Sequence, residues 1–277
     1  MIEAGNYYTL KVLKLVEFGV YLDGYGEEIL LPKRFVPRGL REGDELRVFI
    51  YHDSENRLIA TTQEPKGAVG DIVYLRAVST TRQGAFLDWG LMKDLFMPLS
   101  QQVSAVYAEG SYIVLIYLDE QTGRVAATEK INKHLSNENL TRREKDAVDL
   151  LVQRRSDLGY VVIINNKHTG LLHFSDVFRE LAIGERLKGF IKKIFEDNKI
   201  DVGVGDPGYK KVSTEEEKIL QLLREHNGYL PYHDKSDPEE IYQFFGISKK
   251  TFKMALGALY KQRKIELTKT GFKQVDP

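Results

Sequence analysis

The sequence predicts a mostly-β chain: three five-stranded barrels in a row, followed by a small α+β C-terminal domain. Three observations predict it. A strand–turn–strand signature recurs around Gly19, Gly84 and Gly159, at intervals of 65 residues (19 to 84) and 75 residues (84 to 159). Self-similarity at a fixed spacing marks an array of like modules. Inside each module, turn residues interrupt short apolar runs about every 8–12 residues, the rhythm of a small barrel or sandwich. From Thr214 onward the apolar spacing turns helical, and a change of period marks a change of fold.

Composition bounds the rest. Of 277 residues, 42% are hydrophobic and 29% charged, which is ordinary globular material. Lys plus Arg and Asp plus Glu are 40 each. A neutral chain does not hold a polyanion by bulk charge, so nucleic-acid binding has to use local patches and stacking. The chain has no cysteine, which excludes disulfides, thiolate metal sites and a cysteine nucleophile. The first residues, MIEAGNYYTL, lack a basic stretch followed by an apolar one, so no signal peptide is expected. No apolar run approaches the roughly 18 residues of a spanning helix. A cytoplasmic protein without membrane contact is expected, and a monomer, since no heptads are visible.

The first module, residues 1–64, opens with an alternating strand from Tyr8 to Leu15, with Leu10, Val12 and Lys14 marking its two faces. Gly19 sits in the next strand, where a glycine predicts a bulge or bend. Arg38-Gly39 and Glu42-Gly43-Asp44 are turns, and strands from Leu46 to Tyr51 and Leu58 to Thr62 pair around Asp53–Asn56. Glu64–Gly67 reads as a linker. The second module, 68–130, repeats these steps, with Gly110 in place of Gly43 and strands over Tyr112–Leu118 and Arg124–Thr128. Residues from Ile131 to Asp146 are polar and read as a linker with one helical turn. The third module, 146–206, carries Gly184-Glu185 in place of Gly43-Asp44 and closes at Ile200-Asp201-Val202. In 212–277, Thr214 with Glu217 forms a capping box, Pro238 opens a second helix, and Gly246-Ile247-Ser248 is a turn ending in the cap of a third. Phe252, Leu256 and Leu259 are its inward face, and a hairpin over Ile265–Val275 turns at Thr270-Gly271. Helix, helix, glycine turn, helix, hairpin is the order of a winged helix-turn-helix.

The stretch Gly170-Leu171-Leu172-His173-Phe174-Ser175-Asp176, with Leu158-Gly159-Tyr160-Val161-Val162 before it, resembles the S1-type RNA-binding domains. That resemblance implies OB-fold barrels for the repeats. The first two copies have Pro32 and Pro98 in place of His173. The whole order, three degenerate S1-like repeats and a winged helix, resembles the conserved virulence factor B family of bacteria. The phrases Gly84-Ala85-Phe86-Leu87-Asp88-Trp89-Gly90 and Asn165-Asn166-Lys167-His168-Thr169-Gly170 are similar to that family's own. The resemblance implies a cytoplasmic, non-catalytic RNA-binding protein that regulates gene expression.

An OB barrel holds a single strand by stacking bases on aromatic rings and tracking phosphates with cations. Phe18, Tyr21, Phe86, Trp89, Tyr160 and His173 are the stacking candidates; Lys33, Arg34, Lys93 and Lys167 are the phosphate candidates. Each of these rings could equally be core, because facing parity across a glycine bend is open at this level. From Ser248 onward, eight lysines and arginines stand against Glu266 and Asp276. Lys249, Lys250, Lys253, Arg263 and Lys264 are the candidates of this patch, an electrostatic footprint for nucleic acid. Single-stranded RNA is the expected partner. Duplex DNA through the winged helix, and docking to the ribosome or an RNA-processing protein, remain open. The run Gly203-Val204-Gly205-Asp206-Pro207-Gly208 fits G-x-G-x-x-G, but no helix follows directly and no βαβ unit surrounds it. It reads as strand end and linker. The histidines form no metal set and no catalytic order is readable, so neither an enzyme nor a cofactor is expected.

Overall fold

The computed structural model describes residues 2–138, 140–177, 179–205 and 211–275. Fifteen strands build three closed barrels. The first comprises β1 (Asn6–Val16), β2 (Gly19–Asp23), β3 (Glu28–Pro32), β4 (Glu45–His52) and β5 (Leu58–Thr61). The second comprises β6 (Ile72–Thr80), β7 (Gly84–Leu87), β8 (Leu95–Pro98), β9 (Ser111–Leu118) and β10 (Val125–Thr128). The third comprises β11 (Ala147–Arg155), β12 (Gly159–Ile164), β13 (His168–His173), β14 (Arg186–Ile194) and β15 (Ile200–Val204). In each, the first strand pairs with both the second and the fourth, and the third and fifth run parallel. This is the OB-fold topology.

Closing five strands needs a sharp bend. The bulge that supplies it lies in the first strand of every barrel, between Val12 and Lys14, Ala77 and Ser79, and Val152 and Arg154. It is not at Gly19, where the sequence suggests one. The repeated glycine has another task. A Cβ on Gly19, Gly84 or Gly159 would lie 2.2 Å from the carbonyl oxygen of Leu31, Met97 or Leu172 on the partner strand. Only hydrogen fits there, so the three copies share one steric requirement.

The barrels are fused by apolar contacts. In β4, Val48 and Ile50 fill the first barrel, while Phe49 and Tyr51 on the opposite face join the second barrel's core cluster with Ile59. Trp89 of the second barrel meets Phe49 edge-on at 5.5 Å. The segment Glu64–Gly67 is not a free linker: Lys66 N–H donates to the Trp89 carbonyl and the Trp89 indole to the Gly67 carbonyl. Farther on, Ile72, Leu115, Ile131, Leu151 and Ile163 form one cluster across the second and third barrels. Arg186 donates to the Ile72 carbonyl at 2.7 Å and Asn166 to Asp71 at 2.8 Å. The expected helical turn between these barrels is a 3-10 turn over Ile131–Lys133.

The C-terminal domain is a winged helix. Its elements are α1 (Lys211–Glu225), β16 (Tyr229–Leu230), α2 (Pro238–Phe245), α3 (Lys249–Lys261), β17 (Ile265–Leu267) and β18 (Phe272–Gln274). The strands order β16-β18-β17. Asp237 caps α2 by accepting from Glu239 N–H, with Pro238 in the first turn, and Gly246 ends it at φ 66°. Ser248 caps α3 by accepting from Thr251 N–H. Phe252, Leu256 and Leu259 face inward as expected, against Ile219, Leu223 and Phe272. One expectation fails: α1 begins at Lys211, so Thr214 lies inside its first turn and is not the cap. In the G-x-G-x-x-G run, Gly203 and Val204 end β15, and Asp206–Gly208 fall outside the described residues.

Candidate nucleic-acid interface

Strand register aligns the three barrels residue by residue. Two places after each repeated glycine stand Tyr21, Phe86 and Val161, all pointing out of their barrels. Their cross-strand partners are Leu30, Phe96 and Leu171. The outer face of the second and third strands is the binding face of an OB barrel. The second barrel presents two aromatic rings at this pair of positions, the first barrel one and the third none.

On the first barrel, Phe18 is 57% exposed at the tip of the β1–β2 turn. Its ring lies edge-on to Tyr21 at 6.2 Å, and the Lys14 ammonium sits 4.8 Å over the Tyr21 ring. Lys33 and Arg34 are exposed in the 3-10 turn after β3, and Lys33 N–H donates to the Phe18 carbonyl. The structure thus gathers Phe18, Tyr21, Lys33 and Arg34 at one end of the barrel.

On the second barrel, the Phe86 and Phe96 rings lie 5.1 Å apart, tilted by 45°. They line a hollow of about 610 Å³ with Lys93, Asp94, Asp119 and Arg124, which Tyr51 and His52 of the first barrel wall on one side. Trp89 lines it too, but only 3% of it is exposed. As a stacking candidate Trp89 is corrected: its ring is the wedge between two barrels. Lys93 donates to the carbonyls of His52 and Asp53, so its ammonium clasps the first barrel's β4–β5 hairpin. Burial and then the nearby Arg124 hold the Lys93 pKa below its usual value. Arg124 adds a second clasp, Nε to Asn56 Oδ1 at 2.7 Å. Burial pushes the His52 pKa down, helped by Lys93 and Arg124. Burial, with Asp88, pushes Asp94 up.

On the third barrel, Tyr160 is also corrected. It follows the glycine directly, so strand alternation turns it inward, and its hydroxyl accepts from Leu181 N–H. His173 stays on the outer face, in a hollow of about 490 Å³ with Arg154, Val161, Leu171, Phe195 and Lys199. Its Nε2 is 2.9 Å from Asp201 Oδ2. Lys167 is exposed in the β12–β13 turn. That turn is at the opposite end of β13 from His173, roughly 17 Å away at strand spacing.

On the winged helix, Lys250 and Lys253 are exposed on the first turns of α3 and Lys249 is half-buried. Arg263 and Lys264 are exposed just past its end, and Lys273 on β18 pairs with Glu266. The start of α3 faces the third barrel across a hollow of about 650 Å³ that includes Arg155, Phe174 and Arg179 opposite Ser248 and Thr251.

Sequence reasoning misses Phe96, Arg124 and His52. Phe96 was findable: Leu95 and Met97 are core, so alternation sends Phe96 outward. Arg124 and His52 meet only through the packing of two barrels, and no local signal marks that.

Residues 4–63 match the S1 domain family, and residues 217–273 match the CvfB-like winged helix domain. Conserved virulence factor B of Staphylococcus aureus is 26% identical over 251 residues, covering 86% of this chain and 84% of that protein. The Staphylococcus epidermidis protein of the same name is 25% identical over 248 residues, with 84% and 83% covered. Over most of its length the chain is similar to the conserved virulence factor B proteins. A Bacillus subtilis relative, uncharacterized protein YitL, is 29% identical over 273 residues, covering 94% of this chain and 90% of its own. Among solved structures, a multidomain protein with nucleic acid binding domains from Streptococcus pneumoniae matches 98% of both chains at 21% identity and a TM-score of 0.44. The S1 and winged-helix domains that the family models match are of nucleic-acid-binding type. No helix among the described residues is long and apolar enough to cross a membrane.

Proposed function

We propose that the chain binds single-stranded RNA without catalysing its turnover, using the outer faces of the barrels and the basic surface of the winged helix, and so regulates gene expression. The observation that carries this reading is the Phe86–Phe96 pair, two tilted rings on the OB binding face inside a hollow edged by Lys93 and Arg124. Base–aromatic stacking contributes about 1–3 kcal/mol per base, and it needs bases that are not already stacked in a duplex. Tyr21 with Phe18 supplies a second, smaller platform. The match to the S1 family favours RNA over single-stranded DNA. The relatives' name, conserved virulence factor B, suits a regulatory role.

The test is anisotropy of labelled single-stranded RNA, single-stranded DNA and duplex DNA at several salt concentrations. Single-stranded RNA should bind best, with a log–log salt slope of about −0.7 per phosphate contacted. Preferred binding of duplex DNA would transfer the function to the winged helix alone. Labelled RNA incubated with the protein and Mg²⁺ should stay intact.

A further inference from the structure

The hollow beside Phe86 and Phe96 belongs to two barrels. Its floor is the ring pair of the second barrel, and one wall is Tyr51 and His52, the end of β4 in the first. Two hydrogen-bonded clasps hold the wall in place, Lys93 to the His52 and Asp53 carbonyls and Arg124 to Asn56. In that wall the half-buried His52 ring lines the hollow, and its Nδ1, shut off from solvent, has no hydrogen-bond partner. A buried polar atom left unpaired costs free energy, and such an atom in a native fold asks for an explanation.

We infer that this junction is a slot for one unstacked nucleobase of a bound strand, stacked on Phe86 and Phe96 and met at its edge by His52 of the other barrel. The inference rests on the RNA-binding reading and adds where one base goes and that the first barrel helps to hold it. The size fits: about 610 Å³ lies within the range of sites for small organic ligands. The chemistry fits as well. The flat rings face a flat base, and an imidazole nitrogen can donate or accept according to tautomer, so it can meet either kind of base edge. Arg124 and Lys93 bring positive charge for the phosphates beside it. The comparable hollow on the third barrel differs on both counts. Its second- and third-strand positions are Val161 and Leu171, and its His173 is already bonded to Asp201.

The molecule carries its own reporter. Trp89 is the single tryptophan of the chain and lines this hollow, so a base stacked nearby changes its emission. The full chain is titrated with fluorescein-labelled single-stranded RNA of about 12 nucleotides, within the site size of OB folds. Anisotropy of the label reports binding, and emission of Trp89 with unlabelled RNA reports the slot. The two curves should share a midpoint. Phe86→Leu with Phe96→Leu, which keeps apolar bulk and removes both rings, should weaken binding by about 5- to 150-fold and abolish the emission change. His52→Ala, on the other barrel, should weaken it by about 2- to 10-fold. Circular dichroism checks that each variant is folded. If RNA binds by anisotropy while Trp89 emission stays constant, or if His52→Ala binds as the parent does, the slot is overturned and the RNA-binding reading stands. If anisotropy shows no binding, both fall.

Discussion

The repeated glycine is where two strands of each barrel approach most closely on a backbone carbonyl. At Gly84, an added Cβ would meet the Met97 carbonyl oxygen at 2.2 Å, a backbone atom that cannot swing aside. Gly84→Ala should therefore destabilise the second barrel by about 1–3 kcal/mol, the usual cost of overpacking. Gly257 makes the opposite case. It is exposed in the middle of α3 with no atom within 4 Å of an added Cβ, so Gly257→Ala should stabilise the helix by about 0.5–1 kcal/mol. Urea midpoints of the two variants check the opposed signs. His52 supplies a pH effect at the same scale. Its folded pKa lies below the ordinary value because burial and then the cations Lys93 and Arg124 disfavour its charged form. Below the unfolded pKa of about 6.5, the unfolded chain binds the proton that the folded one refuses. The stability His52 contributes is thus present above that pH and lost as pH falls through the folded pKa. Wild type should lose melting temperature relative to His52→Gln between pH 7 and pH 5. Parallel curves would show that His52 does not titrate against the junction.

At the scale of elements, what the sequence makes legible is what local chemistry decides. The start and stop of α2 and the start of α3 follow from Pro238, Gly246 and Ser248, each of which acts on its own turn. Ser248→Ala removes the acceptor for Thr251 N–H and should lower winged-helix stability by about 1 kcal/mol, read as an earlier helical transition by circular dichroism. An unchanged midpoint would mean that packing, not the cap, fixes the helix start. The barrels' strand rhythm is legible for the same local reason. Facing is harder. Phe86 and Tyr160 look alike in the sequence, yet one lies two places after its glycine and points out, while the other follows the glycine directly and points in. The aligned glycines decide it once the strand is known to start at them. The barrel–barrel contacts leave a fainter trace. Val48-Phe49-Ile50-Tyr51, Val114-Leu115-Ile116 and Val162-Ile163-Ile164 are apolar without alternation, the pattern of a strand buried on both faces. Each lies where one barrel packs on the next, so the fusion is written in the sequence as a missing period.

At the scale of the whole molecule, that fusion changes how the sites combine. A string of independent modules gains affinity through effective concentration set by flexible linkers. Here the first two barrels share a core through Phe49, Tyr51 and Trp89, and the second and third share another. Their candidate faces are held in fixed relation, so a strand bound as proposed on one face would be aimed at the next without the entropy of a search. No such apolar cluster joins the third barrel to the winged helix among the described residues, whose core is its own. The three barrels should therefore unfold as one cooperative unit and the winged helix as a second, giving two calorimetric transitions. Phe49→Ala is the decisive variant, because Phe49 belongs to β4 of the first barrel but sits fully buried in the cluster of the second. Loss of so large a buried ring costs about 3–5 kcal/mol. The barrel transition should move down as a whole while the winged-helix transition stays in place. A barrel transition that splits in two would show that the interface couples the barrels less tightly than each holds itself. A winged-helix transition that moves with it would mean that the C-terminal domain is coupled to the barrels as well.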